Sequence, residues 1–302
     1  MNRPRAAEAA LAWNTIVWGA TFVLVKAALG HVSPLLFLAL RFSLATLALL
    51  SLLGGTGGRG RQTAKGGTVP GRWKPILAGA LTGTFLFSGY LFQTQGLRFT
   101  TAPRSAFITG LTSVMVPLLA ALVYRSRPQV SEVAGVLVAT AGMGLMTLEG
   151  AVGSIGKGDL LTFFCAIGFA AHIVTLGHFS EHVSFKLLSI GQVGAAALWA
   201  LVLLGWVETP RLEWRPVVWW AILVTGLLAT ALAFTLQAWA QQYTTSTRTA
   251  LIYMLEPVFA WMTSYFWAGE GLSGRAAAGA ALILGGVVLV ELKPLNLRLH
   301  PE

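Results

Sequence analysis

Apolar runs of about 20 residues follow one another along nearly the whole chain, separated by short groups of glycine, proline and charged residues. Each run is long enough to cross roughly 30 Å of hydrocarbon as a helix. They lie at about 7 to 29, 33 to 53, 74 to 96, 103 to 124, 131 to 149, 158 to 179, 184 to 206, 217 to 240, 248 to 268 and 274 to 292. The pattern predicts an all-α integral membrane protein of ten transmembrane helices. Residues 100 to 148 also pair without a gap with 244 to 292, giving twelve identities that include Thr100/Thr244, Arg104/Arg248, Leu111/Leu255, Gly135/Gly279 and Gly142/Gly286. The second half therefore copies the first, with 1 to 150 and 151 to 302 as five-helix units. Five is odd, so the second unit must cross in the opposite sense, and inverted repeats suit a transporter whose site lies between them.

Composition agrees with this reading: 55% hydrophobic and 11% charged residues with 34 glycines leave too little polarity to cover a water-soluble surface. The first run is too long for a signal-peptide core and passes straight into a second span at Ser33-Pro34, so an uncleaved anchor is expected. The single cysteine, Cys165, lies inside the sixth run, which leaves no disulfide framework. With the N-terminus placed in the cytoplasm, thirteen basic residues fall inside and six outside, so both termini are expected there. The strongest contributor is the glycine-rich basic stretch from Gly54 to Lys74. The net charge of +10 is read as orientation and anionic-lipid contact in the bilayer, not as a nucleic-acid surface.

Polar groups within apolar runs need a reason, because each costs free energy in hydrocarbon. Glu256, near the middle of the ninth run, is either a proton-binding carboxylate that couples transport to protons or a buried acid satisfied by its neighbours. Pro257 cannot donate to the carbonyl of Tyr253, and Pro117 does the same to Ser113, so both should kink their helices. The repeat sets Ser113, not Pro117, opposite Pro257, which predicts kinks about one turn apart and an asymmetric site. Lys26 and Arg41 attract a carboxylate or phosphate in a shared vestibule, or else Lys26 snorkels and Arg41 bonds backbone carbonyls or an acid.

His172, Gln192, Gln93 and Gln237 lie at depths suited to hydrogen-bonding a polar substrate, or to bonding across helices. Gln93 and Gln237 are repeat partners. Trp18, Tyr90 and Tyr253 are candidate walls for an organic ligand or simple packing residues, and the remaining tryptophans near run ends read as interfacial. His178 and His182 have a metal-like spacing but no third ligand. No nucleophile elbow, HExxH or phosphate loop is present, so an enzyme is not expected.

The segments WGATFVLVK, FLALRF, TTAPRSAFITGLTSVMVPLLAAL, YMLEPVFAW, the Gly269-Glu270 pair and GRAAAGAALILGGVVLVE, taken in order, resemble the EamA branch of the drug/metabolite transporter superfamily over residues 10 to 292. The resemblance implies a bacterial inner-membrane exporter of amino acids or other small metabolites, built of two inverted five-helix repeats around a central cavity. On the family pattern Trp18, Gly19 and Lys26 match the first helix, Arg41 the second, and Glu256 with Pro257 the ninth. Ser126 departs from it where a glutamate equivalent to Glu270 is common, and His172 where an aromatic is common. The resulting expectation is a proton-coupled metabolite exporter; the competitors are an uncoupled facilitator, a multidrug or quaternary-ammonium exporter, and a scaffold that transports nothing.

Overall fold

The computed structural model describes residues 3–54, 73–100, 102–125, 129–147, 156–259, 262 and 273–292. Its elements are α1 (Arg3–Leu29), α2 (Pro34–Leu53), α3 (Lys74–Gly96), α4 (Ala102–Gly110), α5 (Thr112–Tyr124), α6 (Val130–Thr147), α7 (Lys157–Ser180), α8 (Phe185–Val207), α9 (Pro216–Gly226), a π-helical turn (Leu227–Leu232), α10 (Ala233–Ala240), α11 (Ser246–Tyr253) and α12 (Gly274–Leu292). Helix is the solution expected of an apolar chain, since it satisfies each backbone group within its own segment. Prolines open α2, α3 and α9, where the missing N–H costs nothing. Hydroxyls within the spans bond back to carbonyls one turn earlier, as Thr46 does to Phe42 and Thr225 to Ala221.

Among the described residues, seven helices are long and apolar enough to cross a membrane, including the continuous run Pro216–Ala240; Val130–Leu145 and Gly274–Leu289 are shorter apolar helices. The span expected at 248 to 268 lies partly outside the described residues, as do most of the basic stretch from Gly54 to Lys74, Ser126, Gly269 and Glu270. Large apolar side chains such as Leu52, Leu122 and Leu198 are exposed along the helices. A surface of that kind is stable against lipid and would associate in water.

Small residues set the interior. α3 crosses α8 at Gly79 and Gly191, where a Cβ on Gly79 would stand 2.7 Å from the partner's Cα. α6 packs on α12 through a reciprocal contact. A Cβ on Gly142 would stand 2.6 Å from the carbonyl oxygen of Gly279, and one on Gly286 would stand 2.6 Å from that of Gly135. The two helices therefore run antiparallel, each meeting the other with the same pair of positions.

The helix interruptions fall at matched positions in the repeat. The span holding α4 and α5 breaks at Leu111, and α11 ends in a turn at Met254 and Leu255 before helix resumes at 256–259. Leu111 N–H donates to Ile108 and Leu255 N–H to Ile252, at 3.1 and 3.0 Å, so the same tight turn sits at equivalent positions in both halves. Pro257 accounts for the second break by withholding a donor from Tyr253. In the first half α5 continues through Pro117, and the break falls instead beside Gly110, where the absent side chain leaves room for the Met143 thioether.

Candidate functional site

The polar groups expected in the bundle fall into two sets. Arg41, His172, Gln192 and Gln237 are buried, at 4%, 2%, 0% and 1% exposure. Trp18, Tyr90, Gln93, Tyr253 and Glu256 are only partly buried although they belong to the interior. Trp18, Tyr90, Tyr253 and Glu256 are brought together. Trp18 meets Tyr253 edge-on with ring centres 4.8 Å apart, and Glu256 lies within electrostatic range of both Tyr90 and Tyr253. No ion pair or hydrogen bond reaches Glu256 among the described residues. A carboxylate standing on the first turn after a helix break, within electrostatic range of two tyrosines and with no cation paired to it among the described residues, is placed to exchange a proton or meet a cationic group.

Behind Tyr90 lies Arg41, anchored to the π-helical turn. Its Nε donates to Thr230 Oγ1 at 2.6 Å, and its Nη2 donates to the Tyr90 hydroxyl at 3.1 Å and the Ala229 carbonyl at 3.3 Å. The guanidinium also lies 4.6 Å from the centre of the Tyr90 ring. Trp18 Nε1 donates to the same Ala229 carbonyl at 2.9 Å. The π turn supplies this acceptor, since its wider hydrogen-bond spacing loosens the regular helical ladder. Lys26, expected to share a vestibule with Arg41, is exposed near the end of α1.

His172 and Gln192 form the second polar group. His172 Nε2 lies 2.7 Å from Gln192 Oε1, an atom that can only accept, so Nε2 carries the proton. Gln192 Nε2 donates in turn to the carbonyl of Phe234 at 3.3 Å. Gln237 sits apart, bonded to Gln241, and its Oε1 is buried without a partner among the described residues. Gln93 is partly buried on α3.

Sequence reasoning missed the hub. Phe234 contacts Trp18, Tyr90 and His172 at ring-centre distances of 5.7, 6.3 and 5.7 Å, and Phe169 meets Tyr90 at 5.2 Å. One phenylalanine among 16 carries no signal of that role. Thr230 left a faint one, a hydroxyl within the apolar run from Leu227 to Leu232; nothing in that run announces a π turn.

At one end of the bundle the α1–α2 turn is clasped to the segment before α9. Ser33 N–H donates to the Arg211 carbonyl and Glu213 N–H to the His31 carbonyl, around a bridge between Val32 and Leu212. His31 Nδ1 donates to Glu213 Oε2 at 2.6 Å, and this bond is the main cause holding the Glu213 carboxyl below its ordinary range. The Glu208 carboxylate accepts from Leu35 N–H at the start of α2.

The EamA-like transporter family matches this chain at residues 7–148 and again at 156–292. The chain is an EamA-family protein. An uncharacterized transporter of Archaeoglobus fulgidus is 34% identical over 287 residues, covering 95% of this chain and 86% of that protein. The uncharacterized transporter YyaM of Bacillus subtilis is 26% identical over 281 residues, covering 91% of this chain and 90% of its own. A solved crystal structure superposes with a TM-score of 0.77 at 21% identity, over 95% of this chain and 97% of that one, which extends the likeness to the fold. The EamA protein is thus a helical, multi-pass membrane transporter, and Glu256, Tyr90, Trp18 and Tyr253 are its candidate site.

Proposed function

We propose that this chain is a secondary transporter that exports small zwitterionic metabolites, amino acids first among them, across a bacterial inner membrane by alternating access driven by protons. Ten crossings form two inverted halves, 1–150 and 151–302, with both termini in the cytoplasm. The antiparallel contact of α6 with α12 supports the inversion: repeat-equivalent helices meet through equivalent glycines, and parallel repeats would set those helices side by side in the same direction. The matched breaks at Leu111 and Leu255 support it as well.

The observation that carries the functional reading is Glu256, a carboxylate with no ion pair or hydrogen bond among the described residues, beside an interrupted helix and within electrostatic range of Tyr90 and Tyr253. It is the coupling group, with Tyr90, Trp18 and Tyr253 as walls and Gln93 as a polar contact. Arg41 behind Tyr90 favours a zwitterion over a quaternary-ammonium drug, because a cargo with only positive charge would gain nothing from a second cation nearby.

Efflux of labelled amino acids from proteoliposomes, with and without an imposed pH gradient, tests this reading against the Glu256→Gln variant. The expected result is gradient-accelerated flux in native protein and loss of that acceleration in the variant. Flux indifferent to the gradient and to the variant would replace the reading with an uncoupled facilitator.

A further inference from the structure

Arg41 is a buried cation whose hydrogen-bond partners are all neutral. A guanidinium has five N–H donors; here Nε serves Thr230 and Nη2 serves Tyr90 and Ala229, while Nη1 takes no acceptor among the described residues. No carboxylate pairs with it among those residues either. A hydroxyl, a carbonyl and a ring face hold the charge in place without cancelling it, and a buried charge left in that state is costly. The bonds fix the guanidinium before any ligand arrives, so a visiting anion would not have to order it.

The Tyr90 hydroxyl completes the arrangement. Its oxygen accepts the Nη2 proton of Arg41, which leaves its own proton free to donate. Nη1 shares the guanidinium carbon with Nη2, so the free N–H groups and the free O–H stand side by side. Tyr90 also keeps accessible surface, whereas Arg41 is 4% exposed, so Tyr90 is the more accessible member of the pair. Arg41 and Glu256 both act electrostatically on Tyr90 without pairing with each other. A ligand carrying both signs bridges what the protein leaves apart.

We propose that Arg41 Nη1 and the Tyr90 hydroxyl form the seat for a carboxylate of the transported molecule, an assignment that rests on the transport reading above for its substrate but not for its chemistry. One fixed cation and a hydroxyl match a monoanion. The surrounding rings of Phe42, Phe169 and Phe234 offer no further donors for a phosphate dianion.

The test is a melting-temperature titration of the full-length protein in lipid nanodiscs with leucine, phenylalanine and their carboxamides, together with O-phosphoserine as the phosphate arm. Native protein should bind the acids about tenfold or more tightly than the amides, the discrimination typical of a charged hydrogen bond. Tyr90→Phe and Arg41→Lys should each shrink that ratio several-fold while remaining folded by circular dichroism. Arg41→Gln should abolish it, and if that variant does not fold the other two decide the matter. Equal binding of acid and amide by native protein, binding of neither, an unchanged ratio in both Tyr90→Phe and Arg41→Lys, or protection by O-phosphoserine alone would each overturn the seat. Preserved acid preference without flux in proteoliposomes would sink the transport reading and leave the seat standing.

Discussion

Two buried polar groups in this bundle handle their hydrogen bonds in opposite ways. His172 and Gln192 spend theirs on each other and on the Phe234 carbonyl, bridging α7, α8 and α10 in a chain with little left for a visitor. Arg41 and Tyr90, linked to the same phenylalanine through the Tyr90 ring, bond to each other and to the π turn but retain free donors and no counter-ion among the described residues. Arg41 and His172 are both buried, so burial alone does not separate a structural network from a binding one. The count of unspent donors and acceptors does.

That contrast predicts different failures. Gln192→Leu removes the acceptor from His172 and a donor from the Phe234 carbonyl, and should cost about 2–4 kcal/mol through stranded buried groups. Thermal unfolding in nanodiscs checks it, with acid-over-amide preference unchanged in whatever folded protein remains. Thr230→Val strips one acceptor from Arg41 and should cost about 1–2 kcal/mol, yet it should lower the acid preference because the guanidinium is no longer fixed. Ligand titration of the two variants at matched folded fractions separates them; the comparison fails if Gln192→Leu alters the preference more than Thr230→Val does.

The smallest expected effect lies at the clasp. Glu213 is depressed by the bond from His31, so its contribution to folding is present above the ordinary carboxylate range and is lost as pH falls through it. Acid should loosen the clasp, and alkali should not do so through this carboxyl. Unfolding of native and Glu213→Gln protein followed from neutral to strongly acidic pH should differ at neutrality and converge in acid.

Much of the architecture was legible because a bilayer leaves an apolar chain few options. Run length marks the helices, and the repeat puts Gly142 and Gly286 in equivalent roles. The site was legible only as a set of depths. Glu256, Trp18, Tyr90 and Tyr253 stand out because charge and large polar rings are rare in such runs, and they do converge. What sequence could not supply was orientation around each helix axis: it gave Gln237 the same promise as Tyr90, although one faces Gln241 and the other faces Arg41. The π turn escaped because it depends on how α9 and α10 meet α1 and α2, and no local residue encodes that. The break at Leu111 escaped for a similar reason, since proline was the visible cue and the small Gly110 beside Met143 was not.

The contact between α6 and α12 has one more implication. A surface that meets its own counterpart through the same residues on both sides has the geometry of a twofold dimer drawn inside a single polypeptide. A polypeptide of half this length would carry a self-complementary face, able to pair antiparallel about a twofold axis with another copy. Fusing the copies turns that encounter into an intramolecular one at high effective concentration, and it frees each half to diverge. Arg41 and Glu256, one from each half, are what that freedom makes possible.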